Sequence, residues 1–174
     1  MNEQELRARM QRANAASIAD LTESADACIV GIVRAIEVLQ SPGTGRACVA
    51  YRFRDSEGND QQRGVPFLIE DDTGRALIEP AGAVLVLTVR QGEGILRSVV
   101  GSQYLRKHGL GTHVEQCVDV GARIYVIGTC ARELDPSAPD ALYRDSPASR
   151  LRFAQHDAVA LILAAELSLP AVSH

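Results

Sequence analysis

Hydrophobic positions change their rhythm near residue 27. Before it, Leu6, Met10, Ala13 and Ile18 recur at spacings of about three and four with Glu and Arg between them. This pattern predicts a helix over Glu3 to Leu21. Its apolar stripe is thin and rich in alanine, so the helix is expected to dock on the domain surface, with an oligomerisation arm as the alternative. From Ala27 the chain breaks into short β-rich runs. "CIVGIVRAIEVL" (Cys28 to Leu39) reads as a strand interrupted at Gly31, where a bulge or bend is expected. "CVAYRFRD" alternates, with Val49, Tyr51 and Phe53 on one face and Cys48, Ala50, Arg52 and Arg54 on the other. By that alternation Cys48 falls opposite Tyr51 and Phe53, which leaves open whether its thiol is in the core or on the surface.

Further strands are predicted in "GVPFLIE", "RALIEP", "GAVLVLTVRQ", "EGILRSVV" and "ARIYVIGTCARE", punctuated by the turn clusters "SEGND" and "DDTG". "QYLRKHGLG" and "HVEQC" read as an irregular connection with a short helix at Ser102 to His108. "LDPSAPDALYRDSPAS" reads as a loop. The spacing of Val159, Ile162, Leu163 and Glu166 predicts a C-terminal helix from about Phe153 to Leu167, with Ser146 or Ser149 as cap. Many short strands without crossover helices argue for an all-β domain. The expected fold is a small OB-like antiparallel β-barrel flanked by N- and C-terminal α-helices. The expected division is an N-terminal helix over 1–26, the barrel over 27–133, and a loop with the C-terminal helix packed on the barrel over 134–174.

Composition narrows the function more than the fold. At 174 residues, 46% hydrophobic and 23% charged, the chain is of ordinary globular character and long enough for a substantial core. A net charge of -4 and the absence of Trp disfavour a nucleic-acid partner, for which a basic footprint with stacking aromatics is expected. No apolar run follows the first charged residues, and the stretch Ala158 to Val172 carries Glu166 and Pro170. No membrane span and a cytoplasmic location are therefore expected. Cys28, Cys48, Cys117 and Cys130 stand far apart with no C-x-x-C pair, so reduced, mostly buried thiols are the default.

None of the candidate chemistries is complete. "SPGTGRAC" lacks the Lys-Ser/Thr of a phosphate-binding loop and runs into a strand, so it reads as a hairpin. Cys48 has no histidine tied to it by spacing, and a structural thiol is the better reading. His108, His113, Glu115 and Cys117 form the best metal-like grouping, but no second ligand pair accompanies them. Glu70, Asp71 and Asp72 on a turn project apart, which disfavours acid/base pairing. The expectation is a non-enzyme with no cofactor and no metal.

Three blocks in order resemble the GIDE-type domain of membrane-anchored mitochondrial E3 ubiquitin ligases and of many bacterial proteins. The first supplies Ser41, Pro42, Gly45, Cys48 and Tyr51. The second supplies Pro66, Phe67, Asp71, Asp72, Gly74, Pro80 and Ala83. The third supplies Glu115, Gly121, Tyr125, Val126 and Gly128. Together they run from about Ala27 to Glu133. The resemblance implies recognition of a protein partner by a free-standing soluble module. It does not imply ligase activity, because four scattered cysteines cannot supply the zinc ligands of a RING, and a single lysine, Lys107, leaves few sites for self-modification.

The candidate partner-binding residues are those of the loops at one barrel end: Ser41, Thr44, Arg46, Asp71, Asp72, Arg75, His108 and His113. A groove against the C-terminal helix or a strand edge is a second option. The alternative function is an OB-like binder of nucleic acid or oligosaccharide through Arg52, Arg54, Arg97 and Arg106.

Overall fold

The computed structural model describes residues 1–54, 59–87, 114–135, 149–155 and 159–165. One helix, α1 (Glu3–Arg12), precedes eleven strands. The strands are β1 (Ser24–Ala35), β2 (Leu39–Gln40), β3 (Ala47–Arg54), β4 (Asp60–Gly64), β5 (Phe67–Glu70), β6 (Arg75–Glu79), β7 (Val84–Val86), β8 (Val114–Asp119), β9 (Arg123–Leu134), β10 (Ser149–Ala154) and β11 (Ile162–Ala164).

Five of these strands close a barrel in the ring order β1-β5-β6-β10-β9-β1. A ring with an odd number of strands cannot be antiparallel throughout, and here the parallel pair is β6 with β10. The expectation of a wholly antiparallel barrel is corrected on that point. Closure depends on β1, which lies along β9 through residue 32 and along β5 from residue 32 onward; Ile32 is opposite both Glu70 and Arg123. Gly31 sits at this handover, with space for no side chain: a Cβ there would lie 2.5 Å from the Glu70 carbonyl oxygen and 2.7 Å from Ile69 Cγ2. The bend expected at Gly31 is thus a close backbone approach.

Alternation fills the barrel. Phe67 and Ile69 of β5, Ala76 and Ile78 of β6, Leu151 and Phe153 of β10, and Ile29 and Val33 of β1 are all fully buried in one cluster. The outward positions carry a charge ladder across the strands. Arg34 and Arg75 flank Glu70 at 2.7 and 3.1 Å; Arg152 reaches Glu79 at 2.6 Å, and Arg150 reaches Glu133 at 2.8 Å.

A second sheet combines β2, β3 and β4, which lie between β1 and β5 in the chain, with β8, which directly precedes β9. β3 is its spine, paired with β8 along one edge and with β2 and β4 along the other. It shares the main core through Cys48, Val49, Tyr51, Phe53 and Val118. β7 and β11 pair in parallel and extend the barrel sheet beside β9.

Three expectations are corrected. α1 stops at Arg12 rather than Leu21, because the next residues find tertiary partners instead of helical ones: Ala16 N–H donates to the Cys28 carbonyl and Ile18 N–H to Asp71. Its start is a capped one, with the Asn2 side chain accepting from Glu5 N–H at 2.8 Å. The predicted C-terminal helix is replaced by β10 and β11. Arg150, Leu151, Arg152 and Phe153 alternate out and in, and Ser149 is the first residue of a strand rather than a helix cap. "HVEQC", read as an irregular connection, supplies β8. The predicted strand "EGILRSVV" and the short helix at Ser102 to His108 lie outside the described residues. Among the described residues no helix is long and apolar enough to cross a membrane.

Gly31→Ala should destabilise the fold by about 2–3 kcal/mol, because the new methyl meets backbone that cannot give way. Gly121→Ala has open space around it and only a positive φ of 81° to resist it, so about 1 kcal/mol is expected. Urea denaturation of the two variants checks the contrast, and equal losses would show that the Gly31 contact does not constrain closure.

Candidate functional site

The hairpin joining β2 to β3 spans Ser41 to Arg46, and two side chains of β8 hold it, Glu115 at the turn and Asp119 at Arg46. Glu115 of β8 accepts from the Gly43 N–H at 2.7 Å through Oε1. Its Oε2 lies 3.1 Å from the Ser41 hydroxyl and 2.5 Å from the Thr44 hydroxyl, and the two hydroxyls are 2.9 Å apart. Ser41 is buried and also accepts the Arg46 N–H at 3.1 Å. Backbone bonds from Ser41 N–H to the Arg46 carbonyl and from Gly45 N–H to the Ser41 carbonyl close the turn, with Gly45 at φ 67°. The resulting loop is fixed at its base while Pro42, Thr44, Gly45 and Arg46 remain exposed.

Strand phase builds the floor of this clasp. Period-two alternation places Glu115, Cys117 and Asp119 on one face of β8. Across from them β3 carries a bulge, since Cys48 is opposite Asp119 while Ala50 is already opposite Val118. The extra residue, Val49, re-phases the strand. Cys48 therefore reaches the face of Cys117, the partner of Tyr51, and its thiol lies within hydrogen-bonding reach of Cys117. Cys48 is fully buried, which answers the question that alternation alone left open.

Electrostatics in the floor are unbalanced toward the negative. Burial, with Glu115 nearby, pushes the Cys117 thiol up to about 12. Burial raises Cys48 as well, against a hydrogen bond from Cys117. Asp119 is also raised by burial, which its ion pair with Arg46 only partly offsets. Its Oδ1 is buried without a hydrogen-bond partner. Neither thiol is a nucleophile under these conditions, because neither is a thiolate near neutral pH. Among the described residues no group of three or more His, Cys, Asp or Glu side chains is placed to hold a metal ion.

The second candidate loop, Asp71 to Arg75, is tied to a different part of the chain. Burial works against the Asp71 carboxylate, but bonds from Thr73, from the Ile18 N–H at 2.9 Å and from the Gly74 N–H at 2.9 Å hold it below its ordinary value. Asp71 thus pins the segment after α1. Asp72 is exposed, and Arg75 is engaged with Glu70. The structure brings Ser41, Thr44 and Arg46 together with Glu115 and Asp119, and keeps Asp71, Asp72 and Arg75 apart from them on the β5–β6 turn. His108 and His113 lie outside the described residues, as do Arg97 and Arg106. Arg52 and Arg54 both grip Asp60 of β4 and hold its carboxyl far below the usual carboxylate range.

Three apolar side chains are exposed in the turns that lead into β2 and out of β8. Ile36 and Val38, between β1 and β2, are 61% and 53% exposed, and Val120, between β8 and β9, is 43% exposed. The row Leu39–Cys48–Asp119 crosses all three strands; Val38 immediately precedes Leu39 and Val120 immediately follows Asp119 in the chain. Asp119 and this apolar group escaped sequence reasoning, as did the clasping role of Glu115. The signal was present as E-x-C-x-D, a period-two triplet in a segment that was not read as a strand.

Glu115→Ala should lower stability by about 2–3 kcal/mol, since it removes the charged acceptor from three donors. The Gly43 amide should then exchange with deuterium at least about tenfold faster, while amides in β5 are unchanged. Unaltered exchange at Gly43 would show that the loop does not depend on Glu115. The thiols give a pH signature. An unfolded thiol ionises near 9.0, whereas Cys117 in the fold stays neutral toward 12. Stability from this group is full below pH 9 and is lost as pH rises from there, because the unfolded state sheds its proton first. Between pH 8 and 10.5 the urea midpoint of Cys117→Ala should therefore fall less steeply than that of the native chain, and parallel slopes would refute the assignment.

No family model, no curated protein and no solved structure matches the chain, and the functional reading of the clasp stands on its own geometry.

Proposed function

We propose that the protein is a non-catalytic module that binds a protein partner, the role implied by its resemblance to the GIDE-type domain, and that it carries no ligase chemistry of its own. The observation behind this reading is the rigid Ser41–Arg46 hairpin set beside exposed Ile36, Val38 and Val120. Protein partners are held by apolar anchors inside a polar rim. A loop already fixed by Glu115 loses little conformational freedom when it is covered.

The ring order of the barrel supports an OB-like reading in which β1, β5, β6, β9 and β10 are strands one to five. β2, β3, β4 and the hairpin then occupy the connection between strands one and two, a common binding position in such barrels, while β8 belongs to the connection between strands three and four. The alternative of a nucleic-acid ligand is less favoured, because Arg52 and Arg54 are committed to Asp60, and Arg34, Arg75, Arg150 and Arg152 of the barrel to Glu70, Glu79 and Glu133. A phosphate would have to displace a carboxylate at each of them.

A photo-crosslinking side chain at Val38 or at Thr44, compared with one at the exposed control position Glu23, tests the proposal in lysate of the source cells. Discrete protein adducts from positions 38 and 44, absent from position 23 and stable to nuclease and high salt, are expected. Adducts that disappear with nuclease, or equal adducts from all three positions, would overturn the reading.

A further inference from the structure

Among the described residues the buried apolar side chains form two separate clusters, and α1 belongs to the smaller one. Met10 is packed with Cys28 of β1, Ile127 of β9, and Ile162 and Ala164 of β11, with Leu6 and Ala13 of the helix at the margin. None of these residues is part of the barrel core. They lie on the outer face of the barrel sheet, where β1, β9 and β11 run side by side.

Recognition of the helix is specific as well as apolar. Arg9 is 8% exposed, and its guanidinium contacts three residues, one of them Met1 through its sulfur at 4.0 Å. Nε and Nη2 donate to Asp26 at 3.1 and 2.8 Å, while Nη1 donates to the Ala160 carbonyl at 2.8 Å. Arg9 and Met10 are adjacent, so one turn of helix delivers a cation to a carboxylate and a long apolar side chain to a pocket. The chain rejoins the main body just after the helix: Ala16 N–H bonds the Cys28 carbonyl, and Ile18 is buried in the barrel core. The helix ends at Ala13, whose backbone is extended, and Asn14 beyond it is exposed. Residues 13–15 link the helix to that anchor: Ala13 and Ala15 are half-buried against the same small cluster, and neither belongs to the barrel core, so the link opens with α1 while Ile18 stays in place. A detached helix of ten residues does not persist in water. Outside its groove the segment is unfolded, and it refolds against whichever groove it meets.

We infer that the strip of β1, β9 and β11 beneath α1 is a helix-accepting groove, and that α1 of a second copy of this chain enters it in exchange for the resident helix. The second copy fits because it presents the same Arg9–Met10 pair to the same Asp26, Ala160 carbonyl and apolar pocket. Exchange conserves every contact, so concentration decides between the closed monomer and the exchanged dimer. A tether as short as residues 13–15 sets an effective concentration in the millimolar range, and dimers form on approaching it. This inference does not depend on the hairpin reading above.

A Met10→Cys substitution tests it directly, because position 10 lies in the same cluster as Cys28. Two populations of the full-length variant, one carrying a mass tag, are mixed at about 0.01 mM and at about 1 mM, a range that brackets the effective concentration. After mild oxidation, non-reducing mass mapping locates the disulfides. The expected result is 10–28 links within one chain at the low concentration, and tagged-to-untagged dimers joined 10–28 at the high one. Links within one chain at both concentrations, or no 10–28 link at either, would overturn the inference.

The unaltered protein gives a second readout. Alkylation of Cys28 requires only that α1 lift away, whereas Cys48 and Cys130 require the barrel core to open. Cys28 should react at least about tenfold faster than Cys48, and Arg9→Gln should raise the Cys28 rate alone by about another tenfold. Arg9 is the site to change rather than Asp26, because the Asp26 charge also helps to raise the Cys28 thiol. Equal rates at Cys28 and Cys48 would show that α1 leaves only when the whole domain unfolds, and would equally overturn the inference.

Discussion

The fold depends on β1 serving two neighbours at once. A strand has two hydrogen-bonding edges, and β1 gives one to β9 and the other to β5, with Ile32 opposite a residue of each. That double pairing turns an open sheet into a ring and leaves the barrel strands without a bare edge there. It is possible only because Gly31 lets the Glu70 backbone come within a distance no side chain tolerates. The parallel contact between β6 and β10 follows from the same closure, since the ring has an odd number of members. The chain meets that requirement by interposing β7, β8 and β9 between the two parallel strands.

The candidate site inherits its geometry from this arrangement. β8 arrives beside β3 immediately before the chain turns into β9, so its face of alternating Glu115, Cys117 and Asp119 is laid against the β2–β3 hairpin. The bulge at Val49 then decides which residues meet. Without the extra residue Cys48 would face away from Cys117, and Arg46, two positions earlier on the same face, would not meet Asp119. With it, a hairpin of small, flexible residues is bonded to one carboxylate, and flexible sequence becomes a fixed surface. Burial, and secondarily the neighbouring carboxylates, raises both thiols and Asp119 above their ordinary values.

Much of this was legible in the sequence where a local pattern and a tertiary demand agreed. The runs around β3, β6 and β9 alternate over many residues, and one buried face is enough to read them. Gly31 announced a bend inside β1 because glycine has no packing role in a strand. The C-terminal strands were hidden for a physical reason. Ile162–Ala164 is buried on both faces, so it shows no alternation, and its spacing from Val159 mimics a helix. β8 was hidden because its inward face carries Glu, Cys and Asp, which look like loop chemistry until the partner hairpin supplies their hydrogen bonds. The bulge left no signal at all, because Val49 is as apolar as its neighbours and only the register reveals it. For the hairpin, turn chemistry identified the loop correctly, but the residue that holds it lies 71 positions away from Thr44 in the chain.

Charge argues in the same direction as shape about what such a surface can recognise. Arg34, Arg75, Arg150 and Arg152 of the barrel are each paired with a carboxylate, so the fields of these pairs largely cancel at a distance and salt screens what remains. A partner approaching this surface feels little long-range attraction of either sign. Selectivity must then come from contact, and contact favours places where apolar groups are exposed beside backbone that is already ordered. The turns carrying Ile36, Val38 and Val120 meet that condition, because the hairpin beside them is held by Glu115 and the row beneath them by Cys48 and Asp119. The same logic applies on the opposite scale to α1, where one buried cation and one buried thioether hold a helix too short to stand alone. In both places a few specific contacts, rather than a broad field or a large apolar face, fix the local structure.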